Sequence, residues 1–236
     1  MHIRPSIARC ITPALLAFAF LLLLLVTLSV PIIKSISLFT LAARASSGLL
    51  HSSASESVKF GAFGYCTSGA DVNIIGIDRK TAGHCTKPHL GYSFDSTIAE
   101  LLHVSNFENL ISKGLTAVLA LHPLVTALTF ATLLISLFML RRGSHGTSRL
   151  PALVALIAGL LTAVLTTIVL LIDVVLVAMV RKRVHNDTDG ILTLTWGSAA
   201  WLVLCATIAI WIANVGLCIG VRAGNRHRAG LDAEKA

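Results

Sequence analysis

The chain reads as an all-α membrane bundle of four helices, with a small disulfide-stapled extracellular β-hairpin or sheet in its first loop. Three observations predict this. The 236 residues are 55% hydrophobic and only 13% charged, too apolar for a soluble domain of that size. The apolar residues are gathered into four long runs. Finally, Cys66 and Cys85 are the two cysteines of the one large hydrophilic stretch, where an outward-facing, oxidising setting favours a disulfide over two free thiols.

The elements follow in order. Residues 1–10 form a basic cytoplasmic N-terminus, and residues 11–33 the first span. A signal peptide is the alternative for this start, but a signal core usually runs only about 7–15 residues. Residues 14–30 carry neither charge nor proline, so an uncleaved first helix is expected; cleavage near Ala43 or Ala45 would leave three spans in the same orientation. Residues 114–140, 151–180 and 196–221 complete the set, each longer than the ~20 residues that cross ~30 Å of hydrocarbon. Lipid leaves no water to satisfy open backbone, so unbroken apolar runs of this length argue for helices over strands.

The loop at 34–113 has room to fold. Residues 46–57 are serine-rich and expected to be loose. Residues 58–66 and 72–77 read as two strands around the turn chemistry of Ser68, Gly69, Ala70 and Asp71. Two strands alone are marginal, so closing the Cys66–Cys85 loop, worth roughly 3 kcal/mol on a chain-entropy model, would matter. Residues 96–107 place Ile98, Leu101, Leu102 and Phe107 at helical spacing, as in a short helix on the sheet or at the lipid interface.

The formal net charge of +8 does not point to nucleic acid, because the cations sit at the span ends. Arg4 and Arg9, then Arg141, Arg142 and Arg149, then Arg222, Arg226 and Arg228 fall on one side of a four-span topology, which the positive-inside rule makes cytoplasmic. Residues 141–150 are then a cytoplasmic loop, 222–236 a cytoplasmic tail and 181–195 a short extracellular loop. Arg181, Lys182 and Arg183 dissent. The sequon Asn186-Asp187-Thr188 in that outer loop makes Asn186 a candidate glycosylation site, close to the membrane.

Polar groups within spans are costly, and therefore informative. His122 lies eight residues into the second span and Asp173 eight residues before Arg181, so both are about 12 Å deep at 1.5 Å per residue. Antiparallel neighbours would bring them together as an ordinary packing contact, a structural His–Asp pair or a proton-responsive one. Thr126, Thr129 and Ser136 continue the His122 face; Gly159, Thr162 and Thr166 continue that of Asp173. Pro123 removes a backbone donor beside His122. Gly216, Gly220 and Gly224 make a small-residue face with Asn214 at the same end of the fourth span, suited to a neighbouring helix of this chain or of a partner. Cys205 and Cys218 read as apolar fillers, and Cys10 as a candidate for palmitoylation.

The chain presents no nucleophile motif, phosphate loop or HExxH, and no catalytic residue, cofactor or small-molecule substrate is expected. His51, His84, His89 and His103 match no metal-ligand spacing. The expected partners are the lipid bilayer and an integral-membrane protein, not nucleic acid.

The segment Phe60-Gly-Ala-Phe-Gly-Tyr-Cys66, then Cys85 followed by Gly91-Tyr92, then Leu115-Thr116 leading to Leu121-His122-Pro123, resembles the fungal PalI family of ambient-pH response regulators, among claudin-like four-span proteins. Asp173 and Trp201 fit as well. Phe60, Gly61, Phe63, Gly64, Tyr65, Gly91 and Tyr92 are the motif positions. Many filamentous-fungal members carry a long low-complexity cytoplasmic tail, whereas this sequence ends shortly after Val221. The resemblance implies a non-enzymatic, multi-pass plasma-membrane protein with cytoplasmic termini. It would assist a seven-span pH sensor resembling PalH, upstream of proteolytic activation of the transcription factor PacC. The resemblance leaves open an eisosome-type organiser of membrane domains that supports cell-wall integrity, and a claudin-like adhesion or channel accessory protein.

Overall fold

The computed structural model describes residues 5–47, 52–61, 63–68, 71–74, 77–80, 83, 85, 108–141, 149–187 and 192–234. Among them are four helices: α1 (Pro5–Thr27), α2 (Glu108–Arg141), α3 (Arg149–Asp187) and α4 (Ser198–Glu234). Three contain stretches long and apolar enough to cross a membrane, Leu121–Arg141, Leu153–Lys182 and Ser198–Ile219. The apolar part of α1, Ile11–Thr27, is shorter.

That first helix stops before the expected limit at residue 33, and the cause is local. Pro31 lacks an N–H, its ring clashes with the carbonyl four residues back, and it disfavours helical geometry at Val30. The chain turns instead. Ser29 N–H donates to the Val26 carbonyl and Ile33 N–H to the Leu28 carbonyl, both at 3.1 Å, while Val30 N–H reaches the Ile36 carbonyl. Ser29 and Val30 are fully buried in this turn. The other helices overrun their expected bounds. The second begins at Glu108 rather than residue 114, the third continues to Asp187 and the fourth to Glu234.

The chain divides into two compact units. One comprises Met1–Leu24, Leu124–Ile168 and Val203–Ala236. Its interior holds Leu16, Leu133 and Ala213 together, and Phe20 packs on Phe130 at 5.1 Å between ring centroids. Hydroxyls share the buried face with apolar side chains such as Val125, Val203 and Ile210: Thr129, Thr132, Thr162, Thr166 and Thr207 are buried while Phe138, Ile157 and Ile212 stand exposed. Large apolar side chains on the outside, with hydroxyls and small residues among the buried contacts, suit helices whose surroundings are hydrocarbon. Each of these five hydroxyls donates to the carbonyl one turn back in its own helix. Thr132 also meets Thr162 at 3.2 Å, linking α2 to α3.

The second unit comprises Leu25–Pro123 and Val169–Leu202, and carries a six-stranded antiparallel sheet. Its strands are β1 (Phe39–Ser47), β2 (Ser52–Phe60), β3 (Tyr65–Thr67), β4 (Asp71–Ile74), β5 (Ile77–Lys80) and β6 (Leu192–Trp196). The order is β5-β4-β2-β1-β6, with β3 also on β2. Three expectations are corrected here. The described part of the serine-rich stretch is not loose: β1 and β2 pair along their whole length, from Phe39 with Phe60 to Ser47 with Ser52. The strand expected at 58–66 is split: β2 ends at Phe60 and β3 starts at Tyr65, with Gly61 N–H bonded to the Gly64 carbonyl between them. And the second loop is not merely a short connection, since β6 pairs with β1, Phe39 opposite Trp196 and Leu41 opposite Leu194. The short helix expected at 96–107 lies outside the described residues.

The pleat sorts side chains at the paired positions. Phe39, Phe60 and Tyr65 share one face with Leu194 and are all buried. Thr193 and Thr195 lie on the other face, exposed, and donate to the Ala42 and Thr40 carbonyls. Gly197 N–H and Ala199 N–H donate to the Leu38 and Ser37 carbonyls at 2.9 and 3.0 Å. Ala199 N–H, one of the first-turn donors of α4 that have no partner inside a helix, is thus satisfied by the strand entry.

Candidate functional site

Two constellations of the sheet-bearing unit concentrate the residues singled out by the sequence. The first is built by Phe60-Gly-Ala-Phe-Gly-Tyr-Cys66. Phe60 ends β2 and stacks on Phe39, 4.7 Å between centroids at 18°. Gly61 N–H then donates to the Gly64 carbonyl at 2.9 Å, closing a tight turn, and Phe63 N–H donates to the Val30 carbonyl. A side chain at residue 61 would strike that carbonyl and the Val30 Cα, so glycine is required by close approach of backbone to backbone. Tyr65 returns the chain against Phe60, 6.0 Å away. Cys66, in β3, pairs with Lys59 of β2 and is disulfide-bonded to Cys85. The motif is therefore a clasp: it ties β2 and β3 to the turn after α1 and fixes the far end through sulfur.

The second constellation is the intramembrane pair. His122 Nε2 lies 3.2 Å from Asp173 Oδ2, with the side chains 1% and 4% exposed. Their alignment falls outside hydrogen-bonding geometry, and Asp173 Oδ2 has no hydrogen-bond partner among the described residues. An imidazole and a carboxylate at this distance in a low-dielectric interior interact far more strongly than they would in water. α2 contributes the histidine beside Pro123, and α3 the aspartate among Ile172, Val174 and Val175. Among the described residues, no group of three or more His, Cys, Asp or Glu side chains is arranged to hold a metal ion.

A family model, the SUR7/PalI family, matches residues 9–213. The chain belongs to this family. Three curated relatives, each named pH-response regulator protein palI/RIM9, are similar to it. The protein from Emericella nidulans is 32% identical over 208 residues, covering 86% of this chain and 30% of its own length. Those from Yarrowia lipolytica and Pyricularia oryzae are 29% and 30% identical over 87% and 86% of this chain, and 22% of each relative's length. The chain thus spans less than a third of the length of the curated relatives it matches.

The matched SUR7/PalI region includes both constellations. The other unit holds a contact that the sequence did not pair, between Gly159 inside the matched region and Asn214 just beyond its end. Asn214 Nδ2 on α4 donates to the Gly159 carbonyl on α3 and to its own helix at Ile210, both at 3.0 Å. Its Oδ1 is buried without a hydrogen-bond partner among the described residues, and occupies the space where a side chain at Gly159 would project. Gly216 faces the Thr12 hydroxyl of α1, so this part of the small-residue face is used within the chain. Gly220 lies further along α4. Cys205 and Cys218 are free and exposed. Asn186 lies within α3, beyond the end of the apolar stretch at Lys182, so the sequon begins on a helix rather than in an open loop. Gly91 and Tyr92 lie outside the described residues.

Neither the Val30 contact nor the Asn214–Gly159 bond was legible as a pairing. Pro31 did signal a break, since proline cannot continue a helix, and Asn214 stood out as a polar residue in an apolar run.

Proposed function

We propose that this chain is a non-enzymatic, multi-pass plasma-membrane component of ambient-pH signalling, assisting a seven-span sensor that resembles PalH upstream of proteolytic activation of PacC. The observation that carries the reading is the similarity to three pH-response regulators, each extending over at least 86% of this chain. The architecture suits an accessory role. The described helices bury hydroxyls and small residues beside part of their apolar side chains and turn many large apolar ones outward, which suits packing in lipid. The basic groups at the span ends favour cytoplasmic termini, which would place the sheet and its disulfide outside, where such a bond persists. Asn186, if it faces outward, remains a candidate for glycosylation.

The test is deletion of the gene followed by scoring of growth and PacC processing at alkaline pH, with the full chain restored in a parallel strain. Lost processing that the chain restores, together with co-purification of a seven-span sensor, supports the proposal. Normal processing in the deletion strain overturns it.

A further inference from the structure

We propose that Cys10 and Cys218 form a paired S-acylation site, each sulfur carrying a long-chain fatty acyl group at the cytoplasmic border of the membrane. This rests on the part of the reading above that puts the termini in the cytoplasm, and on nothing about pH. The register of α1 and α4, which belong to one compact unit, brings the two positions together. Gly216 faces the Thr12 hydroxyl, and Leu16 joins Ala213 in one buried cluster. Residue numbers rise along α1 as they fall along α4, so the two helices run antiparallel. Cys10 stands two residues before Thr12, and Cys218 two residues after Gly216. Both are therefore about 3 Å from that contact along the helix axes, at one level of the membrane.

That level is a border on both helices. Arg9 immediately precedes Cys10, and no charge follows until Lys34. On α4 the charge-free run that begins after Asp189 ends at Arg222, one turn beyond Cys218. Cysteines beside the membrane surface are where acyl chains are attached reversibly. Cys218 is exposed, and so are Val215, Ile212, Trp211 and Ile208, a stripe at helical spacing that leads from the cysteine into the span. An acyl chain on Cys218 can lie along that stripe in hydrocarbon. The donor is a long-chain acyl-coenzyme A. The cysteine sulfur attacks its thioester carbonyl and a new C–S bond forms. The bond to the coenzyme A sulfur breaks, and that sulfur leaves with the cysteine's proton. Cys205 supplies an internal contrast. It is exposed as well, but thirteen residues from Cys218 it lies about 20 Å deeper, beyond the reach of a donor held at the membrane surface.

The experiment uses the full chain, expressed in fungal cells and solubilised without reductant so that Cys66 and Cys85 stay bonded. Free thiols are blocked with N-ethylmaleimide, thioesters are cleaved with hydroxylamine, and each sulfur so released is tagged with maleimide-polyethylene glycol. Two hydroxylamine-dependent tags are expected in the parent and in Cys205→Ser, one in Cys10→Ser or Cys218→Ser, and none in the double variant. The absence of tags in the parent overturns the proposal, as does a single parent tag or one that survives in the double variant. Where a variant fails to accumulate, the masses of the parent's peptides carrying Cys10 and Cys218 decide instead: acylated peptides support the site and unmodified ones overturn it. Protease access to a tag after Ala236 in intact cells tests the orientation separately, so a reversed topology and a missing acyl group are told apart.

Discussion

At the scale of single residues, the most exacting position outside the pair is Gly159. Its carbonyl accepts from Asn214 Nδ2, and the space above its Cα is filled by Asn214 Oδ1. Gly159→Ala must push the amide away and break the bond together, which overpacking precedents place at about 1–3 kcal/mol. Asn214→Ala removes the obstacle, so the double variant should lose less than the sum of the two single losses. Thermal unfolding of the four purified proteins in one detergent checks this, and strict additivity would refute the direct contact. Gly159 and Asn214 were each conspicuous in the sequence, one as a small residue on the Asp173 face and the other as a polar residue near a glycine repeat. Their meeting was not, because the relative register of two helices depends on packing along their length. His122 and Asp173 were easier to pair, since burying ionisable groups in lipid is costly enough to leave few alternatives.

At the scale of elements, the sheet shows where periodicity helps and where it fails. β6 reads Leu-Thr-Leu-Thr-Trp, a strict alternation that signals a strand half-buried on one face, yet it sat in what looked like a mere connection. β1 and β2 hid differently: serine and alanine dominate their outer halves, so no apolar face marks residues 44–47 or 52–55. Backbone pairing across nine positions holds them together instead. Three-residue β3 has little pairing of its own and depends on the bond from Cys66 to Cys85, 19 residues away in sequence. Cys66→Ser should therefore cost about 3 kcal/mol, release β3 from β2 before the rest of the sheet, and lower the amount of protein reaching the cell surface. Alkylation of the native protein before and after reduction checks the premise; both thiols reacting without reductant would sink it.

At the scale of the whole molecule, the apolar runs revealed the helices well, and cation placement gives an orientation to test. A tag after Ala236 should resist external protease in intact spheroplasts. A second tag in the connection between β1 and β2 should be cut; a tag at Ser53 would interrupt β2. Cleavage of the C-terminal tag in sealed cells would reverse the assignment and move the disulfide to a reducing compartment. What periodicity could not supply at this scale was the union of two distant loops in one sheet, because nothing in a local window records a partner 155 residues away.

That union has a consequence in time. β1 emerges from the ribosome early, and its hairpin partner β2 follows within seconds. β6 arrives only after α2 and α3 have been made. With synthesis at about 5–20 residues per second, a separation of 155 residues leaves one side of β1 waiting roughly 8–30 s for its complement. During that interval Phe39, Thr40, Leu41, Ala42 and Ala43 present backbone donors and acceptors that any passing strand can take. A nascent chain halted before Leu192 would keep that edge unpaired indefinitely. Completion of the sheet thus reports that translation has reached the last helix, and a quality-control factor sensitive to open strand edges would hold back every chain that has not.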